Sequence, residues 1–259
     1  MREALNDIAE TARGLARNGR ALVLFFVTYF ALLATLTLFI LTREATIKDV
    51  LVSMAMLIVV PALFFLLQAM CVTYEVTVGA REVLKESVRI LRRVFIVSIP
   101  FILLGFAMFM ILGRIDARFS PSIQGQTLAT LAREGETWPR VVLSTIRLVM
   151  FGIVFPLACI HMWIAVRAQD LQKVLRTIKP ILSKAFALRS IETYVIGFGL
   201  FGILPYLLII VRTPSERAWL EITLLSVRVL VALSLMLFGW VLTVGALQRG
   251  TTTSRTKDE

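Results

Sequence analysis

Six apolar stretches, each about the 20 residues that a helix needs to cross a hydrocarbon core, dominate this chain and fall at 21–41, 50–72, 94–112, 141–166, 191–211 and 222–247. With 58% hydrophobic and only 17% charged residues, they carry more apolar surface than one soluble core could bury. The excess needs lipid as its solvent. The fold expected is therefore all-α: a polytopic membrane bundle of six transmembrane helices. No small-residue cleavage signal follows the first stretch, which reads as a retained span.

Lys and Arg are distributed unevenly between the stretches. The N-terminal segment, the second and fourth loops and the tail together hold 18, against 8 in the three other loops. The positive-inside rule then places both termini in the cytoplasm of a cell inner membrane, and it accounts for the net charge of +11 without nucleic acid. The same topology puts Trp138 and Trp219 at outer interfaces and Trp163 and Trp240 near inner ones.

The basic segments have helical periodicity. In the second loop Leu84, Val88, Leu91 and Phe95 share a face opposite Arg81, Lys85, Arg89, Arg92 and Arg93; in the fourth, Leu171, Leu175, Ile178 and Leu182 oppose Lys173, Arg176, Lys179 and Lys184. Pro180 is expected to kink the fourth-loop helix. Residues 1–20 give a weaker stripe of Leu5, Ile8, Ala12 and Leu15. Three cytoplasmic amphipathic helices follow, suited to an anionic inner leaflet of membrane lipids or to a protein partner. Residues 21–248 form the six-span domain, residues 113–140 the one long external loop, with a short surface helix around Leu128 and Leu131, and residues 249–259 a disordered cytoplasmic tail.

An internal repeat is also legible, with units at about 50–112 and 141–211. Val83-Leu84-Lys85 matches Val174-Leu175-Arg176, Ile90-Leu91 matches Ile181-Leu182, Arg93 matches Lys184, Phe95 matches Phe186, and Ile58-Val59-Val60-Pro61 matches Ile153-Val154-Phe155-Pro156. Both units run outside to inside and back, so the repeat is parallel. This pattern of a span, a basic cytoplasmic helix and another span resembles the multi-pass domain fused to some bacterial glycerophosphodiester phosphodiesterases and its free-standing inner-membrane relatives. The resemblance implies a membrane domain without catalytic residues of its own.

Reactive residues are sparse. His161 is the single histidine and has no carboxylate at comparable depth in the sequence to form a dyad. Cys71 and Cys159 lie inside apolar runs and read as small buried hydrophobes. No hydrolase, P-loop or zinc motif is present, and no cofactor or metal is expected. Pro61, Pro100, Pro156 and Pro205 should kink four spans, and Gly197, Gly199 and Gly202 should thin one face of the fifth.

Apart from Glu192 at the very start of the fifth stretch, Arg147 and Arg228 are the only charges within the stretches. Charges in lipid are costly and face the bundle or a wet cavity, or snorkel to the headgroups. With Ser144, Thr145 and Ser226 close in sequence, the pair is a candidate site for an anionic headgroup, because the guanidinium fork suits phosphate and carboxylate. The expectation is a non-catalytic, lipid-interacting or accessory membrane subunit. The alternative is a permease subunit for a small or lipidic substrate, coupled to a separate ATPase. The topology is testable: a cysteine at Gly125 should react with an impermeant thiol reagent on intact cells, whereas one at Ser87 should not, and the reverse result would invert the orientation.

Overall fold

In the computed structural model, which describes residues 1–42, 46–74, 79–119, 138–211 and 218–255, every regular element is helical. In chain order these are α1 (Arg2–Arg17), α2 (Gly19–Leu41), α3 (Ile47–Thr73), α4 (Ala80–Phe119), α5 (Trp138–Val149), α6 (Phe155–Ala168), α7 (Leu171–Arg176), α8 (Ile178–Ala185), α9 (Leu188–Phe198), α10 (Leu204–Ile210) and α11 (Ala218–Arg255). A single π-helical turn joins α5 to α6 (Met150–Val154), and another joins α9 to α10 (Gly199–Ile203). Six segments are long and apolar enough to cross a membrane: Gly19–Leu41, Ile47–Thr73, Ala80–Arg118, Val141–Ala168, Leu188–Ile210 and Trp219–Thr251. Each contains or overlaps one of the six stretches found in the sequence. The chain is an integral membrane protein of six spans.

Element boundaries differ from the sequence reading for local reasons. At the start of α3 a capping box takes over three residues early: Asp49 N–H donates to the Thr46 hydroxyl at 3.3 Å, and Thr46 N–H donates to the Asp49 carboxylate at 3.0 Å. The basic segment before the third span continues into that span as one 40-residue helix, about 60 Å long at 1.5 Å per residue. It runs on to Phe119, so residues 113–119 are helix and not loop. Leu128, Leu131 and Gly125 lie outside the described residues. The expected disordered tail is likewise helical as far as Arg255, because Arg249 pairs with Glu10 at 2.9 Å and Thr251 donates to Gln248 O at 2.7 Å. The fourth-loop helix breaks at Thr177, and Pro180 sits harmlessly in the first turn of α8, where a missing N–H costs nothing.

The prolines divide into two kinds. Pro61 and Pro100 lie inside unbroken α-helix. Pro156 and Pro205 each follow a π-turn, in which Phe155 N–H reaches back to Met150 O and Leu204 N–H to Gly199 O. The wider turn accommodates the ring against the preceding carbonyls. Pro156 also has no N–H to give Gly152 O, four residues back, and the Tyr194 hydroxyl of α9 donates to that oxygen at 2.8 Å.

The N-terminal helix α1 and the last turns of α11 lie together at one end of the bundle, the terminal end. There α1 packs along α11 and the start of α9, burying Ala4, Ile8, Thr11 and Leu15. The sequence stripe was displaced by one position at two of its members, since Leu5 is 46% exposed. Polar partners close the contact: Arg189 pairs with Asp7 at 2.7 Å, and the Met1 amino group pairs with Glu192 at 2.7 Å.

Burial is graded along the bundle. At the terminal end, Leu67 to Tyr74 of α3 and Ala232, Val241 and Val244 of α11 are buried, together with Val83 and Val94 of α4 and Leu157 and Ile160 of α6. Towards the far end, α11 is exposed from Trp219 to Val227, and Ile102, Leu103 and Phe106 of α4 are more than half exposed. These side chains face lipid, which solvates them. Ser87 belongs to the packed end: it is fully buried and shares a 2.7 Å hydrogen bond with Thr73. A cysteine there would be silent in either orientation, so the exposed Arg81 is the proper labelling position on that side.

Close approach in the last two spans depends on two glycines, Gly197 facing α11 and Gly239 facing the π-turn between α9 and α10. A Cβ on Gly197 would collide with the Thr243 side chain, and one on Gly239 would lie 2.8 Å from the Phe201 backbone nitrogen. Nothing lies within 4 Å of a Cβ on Gly199, so of the expected small-residue face only Gly197 makes a close helix–helix contact. Gly197→Ala and Gly239→Ala should each destabilise the bundle by about 1–3 kcal/mol through overpacking, seen as a lower unfolding temperature in detergent, while Gly199→Ala should stay close to the parent; three indistinguishable transitions would contradict this packing.

Candidate functional site

The two intramembrane arginines do not form a joint site. Arg147 of α5 turns to α4, where Nη2 lies 3.1 Å from Asp116 Oδ2 and donates to Leu112 O at 3.2 Å. Arg228 of α11 donates instead to Val211 O, the carbonyl that ends α10, a position where helix dipole and unsatisfied acceptor both favour a cation. The nearby hydroxyls are committed to their own helices: Thr145 donates to Val141 O at 2.8 Å and Ser226 to Ile222 O at 2.9 Å, while Ser144 is exposed. The partner of Arg147 was missed because the third stretch seemed to end at residue 112; the extra turns of α4 bring Asp116 opposite.

Two of the four tryptophans hydrogen-bond within the bundle. Trp163 is 5% exposed and donates to the buried Ser98 hydroxyl at 2.8 Å, and Trp240 donates to Gln68 Oε1 at 2.8 Å. Trp219 is 62% exposed at the start of α11, and the Trp138 side chain lies outside the described residues. The two indoles border a cavity of about 540 Å³ lined by α2, α3, α4, α6 and α11 and by both π-turns. Its wall is largely aromatic, including Phe65, Phe101, Phe151, Phe155 and Phe201. Because Ser98 and Gln68 are already occupied by the indoles, the cavity surface is apolar. It sits where the packed end gives way to the more exposed one.

A second cavity, of about 690 Å³, opens at the terminal end between the last turns of α6 and α11 and the short helices α7 and α8. Its cations are Arg167, Lys173 and Lys184. Arg167 is held firmly: its Nη1 donates to Val72 O, one of the last carbonyls of α3, at 3.0 Å. With its amide turned to satisfy both neighbours, Gln248 accepts from Arg167 and donates to Val72 O at 3.3 Å. His161, 3% exposed, has Nδ1 3.0 Å from Leu157 O and Nε2 3.3 Å from the Ser190 hydroxyl, a bond that ties it to α9.

The remaining basic candidates are dispersed. Lys85 and Arg89 line a third cavity of about 510 Å³, shared with Glu82 and Glu86. Arg89 also lies 3.5 Å from Glu86, and Arg93 3.2 Å from Asp170. Arg81, Arg92, Arg176 and Lys179 are exposed. Among the described residues no three His, Cys, Asp or Glu side chains converge as a metal site would need.

The role of Arg147 can be measured. A double-mutant cycle of Arg147→Gln and Asp116→Asn should give a coupling of ~0.2–1 kcal/mol, the range for a partly exposed pair, and Arg147→Lys should leave anionic-lipid retention unchanged. No coupling together with lipid loss in Arg147→Lys would return Arg147 to the lipid-binding candidates.

No family model matches the chain, and no curated protein or solved structure is significantly similar to it. The likeness to the phosphodiesterase-associated membrane domain therefore rests on its sequence motif alone.

Proposed function

We propose that this protein is a non-catalytic, lipid-interacting membrane subunit that holds an acyl or other hydrocarbon chain inside its bundle. The aromatic cavity between α2, α3, α4, α6 and α11 carries the reading. An apolar cavity gives water no hydrogen-bond partners and stays dry. In a bundle whose outer surface is solvated by lipid, a lipid tail is the solvent at hand. A volume of about 540 Å³ is within the range of small-molecule sites, which are likewise mostly apolar with a few placed polar groups.

Orientation and repeat belong to the same proposal. Both termini, α7 and α8 are assigned to the cytoplasm, where the exposed Arg81 and Arg92 of α4 would meet the anionic inner leaflet or a partner protein. The burial pattern supports related halves: Val83 and Val174 are both buried, as are Val94 and Ala185, whereas Leu84 and Leu175, and Phe95 and Phe186, are all exposed. The copies differ in that one is the unbroken α4 and the other is divided into α7, α8 and α9.

The test is photo-crosslinking of full-length protein in liposomes containing a phospholipid with a diazirine in its acyl chain. Adducts should concentrate on the cavity-lining peptides that contain Phe65, Phe101 and Phe155. Gly105→Phe, which introduces a ring at the cavity wall where the nearest outside atom is 3.8 Å away, should lower those adducts several-fold without lowering the unfolding temperature. Labelling spread evenly over the lipid-facing side chains and unchanged by Gly105→Phe would remove the chain-binding role.

A further inference from the structure

We infer that the basic cavity at the terminal end is a binding site for a phosphate ester, which goes beyond the chain-binding reading because it concerns a separate cavity and a charged ligand. Three cations, Arg167, Lys173 and Lys184, line one open cavity of about 690 Å³, and no carboxylate is among the described residues that line it. Like charges brought together in this way repel one another and raise the local attraction for an anion. Arg167 is half-buried, and Lys173 and Lys184 are exposed. The Arg167 guanidinium is anchored through Nη1 by Val72 O and Gln248, so it links α6 to α3 and α11. Lys173 and Lys184 come from different short helices, which the break at Thr177 folds around the same space.

Two further observations narrow the ligand. Gln169 Oε1, on a residue lining this cavity, is buried without a hydrogen-bond partner, and a buried acceptor left so is costly unless a donor arrives. A ligand with a hydroxyl or ammonium group beside its phosphate would supply that donor. Ile164 and Ile181 line the same space, so an ester carrying a hydrocarbon substituent also finds an apolar wall. Phosphate is favoured over carboxylate because its three or four oxygens can be shared among three cations. The ligand class is thus a phosphate mono- or diester, presented either as a lipid headgroup or as a free soluble ester.

Charge-matched variants of the full-length protein test this. Lys173→Gln with Lys184→Gln removes two cavity cations; Arg176→Gln with Lys179→Gln removes the same charge from exposed positions on the same two helices. Retention of phosphatidylglycerol in neutral-lipid nanodiscs is measured by native mass spectrometry, and binding of inorganic phosphate and glycerol phosphate by calorimetry in neutral detergent. The cavity pair should weaken binding about tenfold or more, the exposed pair less than twofold, and Lys173→Arg with Lys184→Arg should preserve it, which guards against a folding defect. Gln169→Leu should weaken the hydroxyl-bearing phosphatidylglycerol, and Gly105→Phe should change nothing here, which separates this site from the chain cavity. Binding in the nanodisc arm alone identifies a lipid headgroup, in the calorimetric arm alone a soluble ester, and in both the phosphate ester itself. Equal losses in the two charge-matched pairs, or no binding in either arm, would overturn the site.

Discussion

Every backbone carbonyl held away from water must find a donor, and in a hydrocarbon environment the protein itself has to provide it. Much of the tertiary structure can be traced to places where a helix cannot meet that demand alone. At Pro156 the ring removes the N–H due to Gly152 O, and the hydroxyl of Tyr194 on α9 supplies a donor, tying the fourth span to the fifth. At the end of α3, Val72 O is capped by Arg167 from α6. At the end of α10, Val211 O is capped by Arg228 from α11. The charged and phenolic side chains that look costly in an apolar sequence are spent on joining helices.

The same economy explains the gradation of packing. At the terminal end, small side chains and glycines let helices approach, and polar groups interlock: Thr73 with Ser87, Trp163 with Ser98, Trp240 with Gln68, Arg189 with Asp7. In hydrocarbon, apolar burial alone gives helices little reason to associate, so close approach and interhelical hydrogen bonds decide where they do. Among the described residues such groups are fewer at the far end, and the helices there present Leu, Ile and Phe to lipid. The aromatic cavity lies where one regime passes into the other. Its polar rim is already occupied by the two indoles, which leaves the space to hydrocarbon.

The N-terminal helix belongs to the packed end as well. It buries Ala4, Ile8, Thr11 and Leu15 against α11, and its acidic residues pair with Arg189 and Arg249. A helix that sequence periodicity assigns to a membrane surface is here part of the bundle. What distinguishes the two is not its own amphipathicity but the presence on α11 of Gly245, where a Cβ would lie 2.6 Å from Thr11 Cγ2. No pattern within residues 1–20 could have disclosed that partner.

Hydropathy over windows of about 20 residues is a one-dimensional quantity, and it determined what depends on it: six spans, their order, and the basic segments between them. Local chemistry extended some of those helices beyond the apolar runs, as the Thr46–Asp49 capping box does for α3. Which residues meet was decided by the packing of helices distant in sequence. The sequence alone suggested that Arg147 and Arg228 formed one site; the tertiary structure gave each its own partner, Asp116 and Val211 O. It gathered Arg167, Lys173 and Lys184, which in the sequence were simply three of the basic residues of one loop, around a single cavity. The physical reason is that a periodic pattern fixes the face on which a side chain lies, whereas its partner depends on the rotation and depth of a second helix, and those are set only when all six pack together.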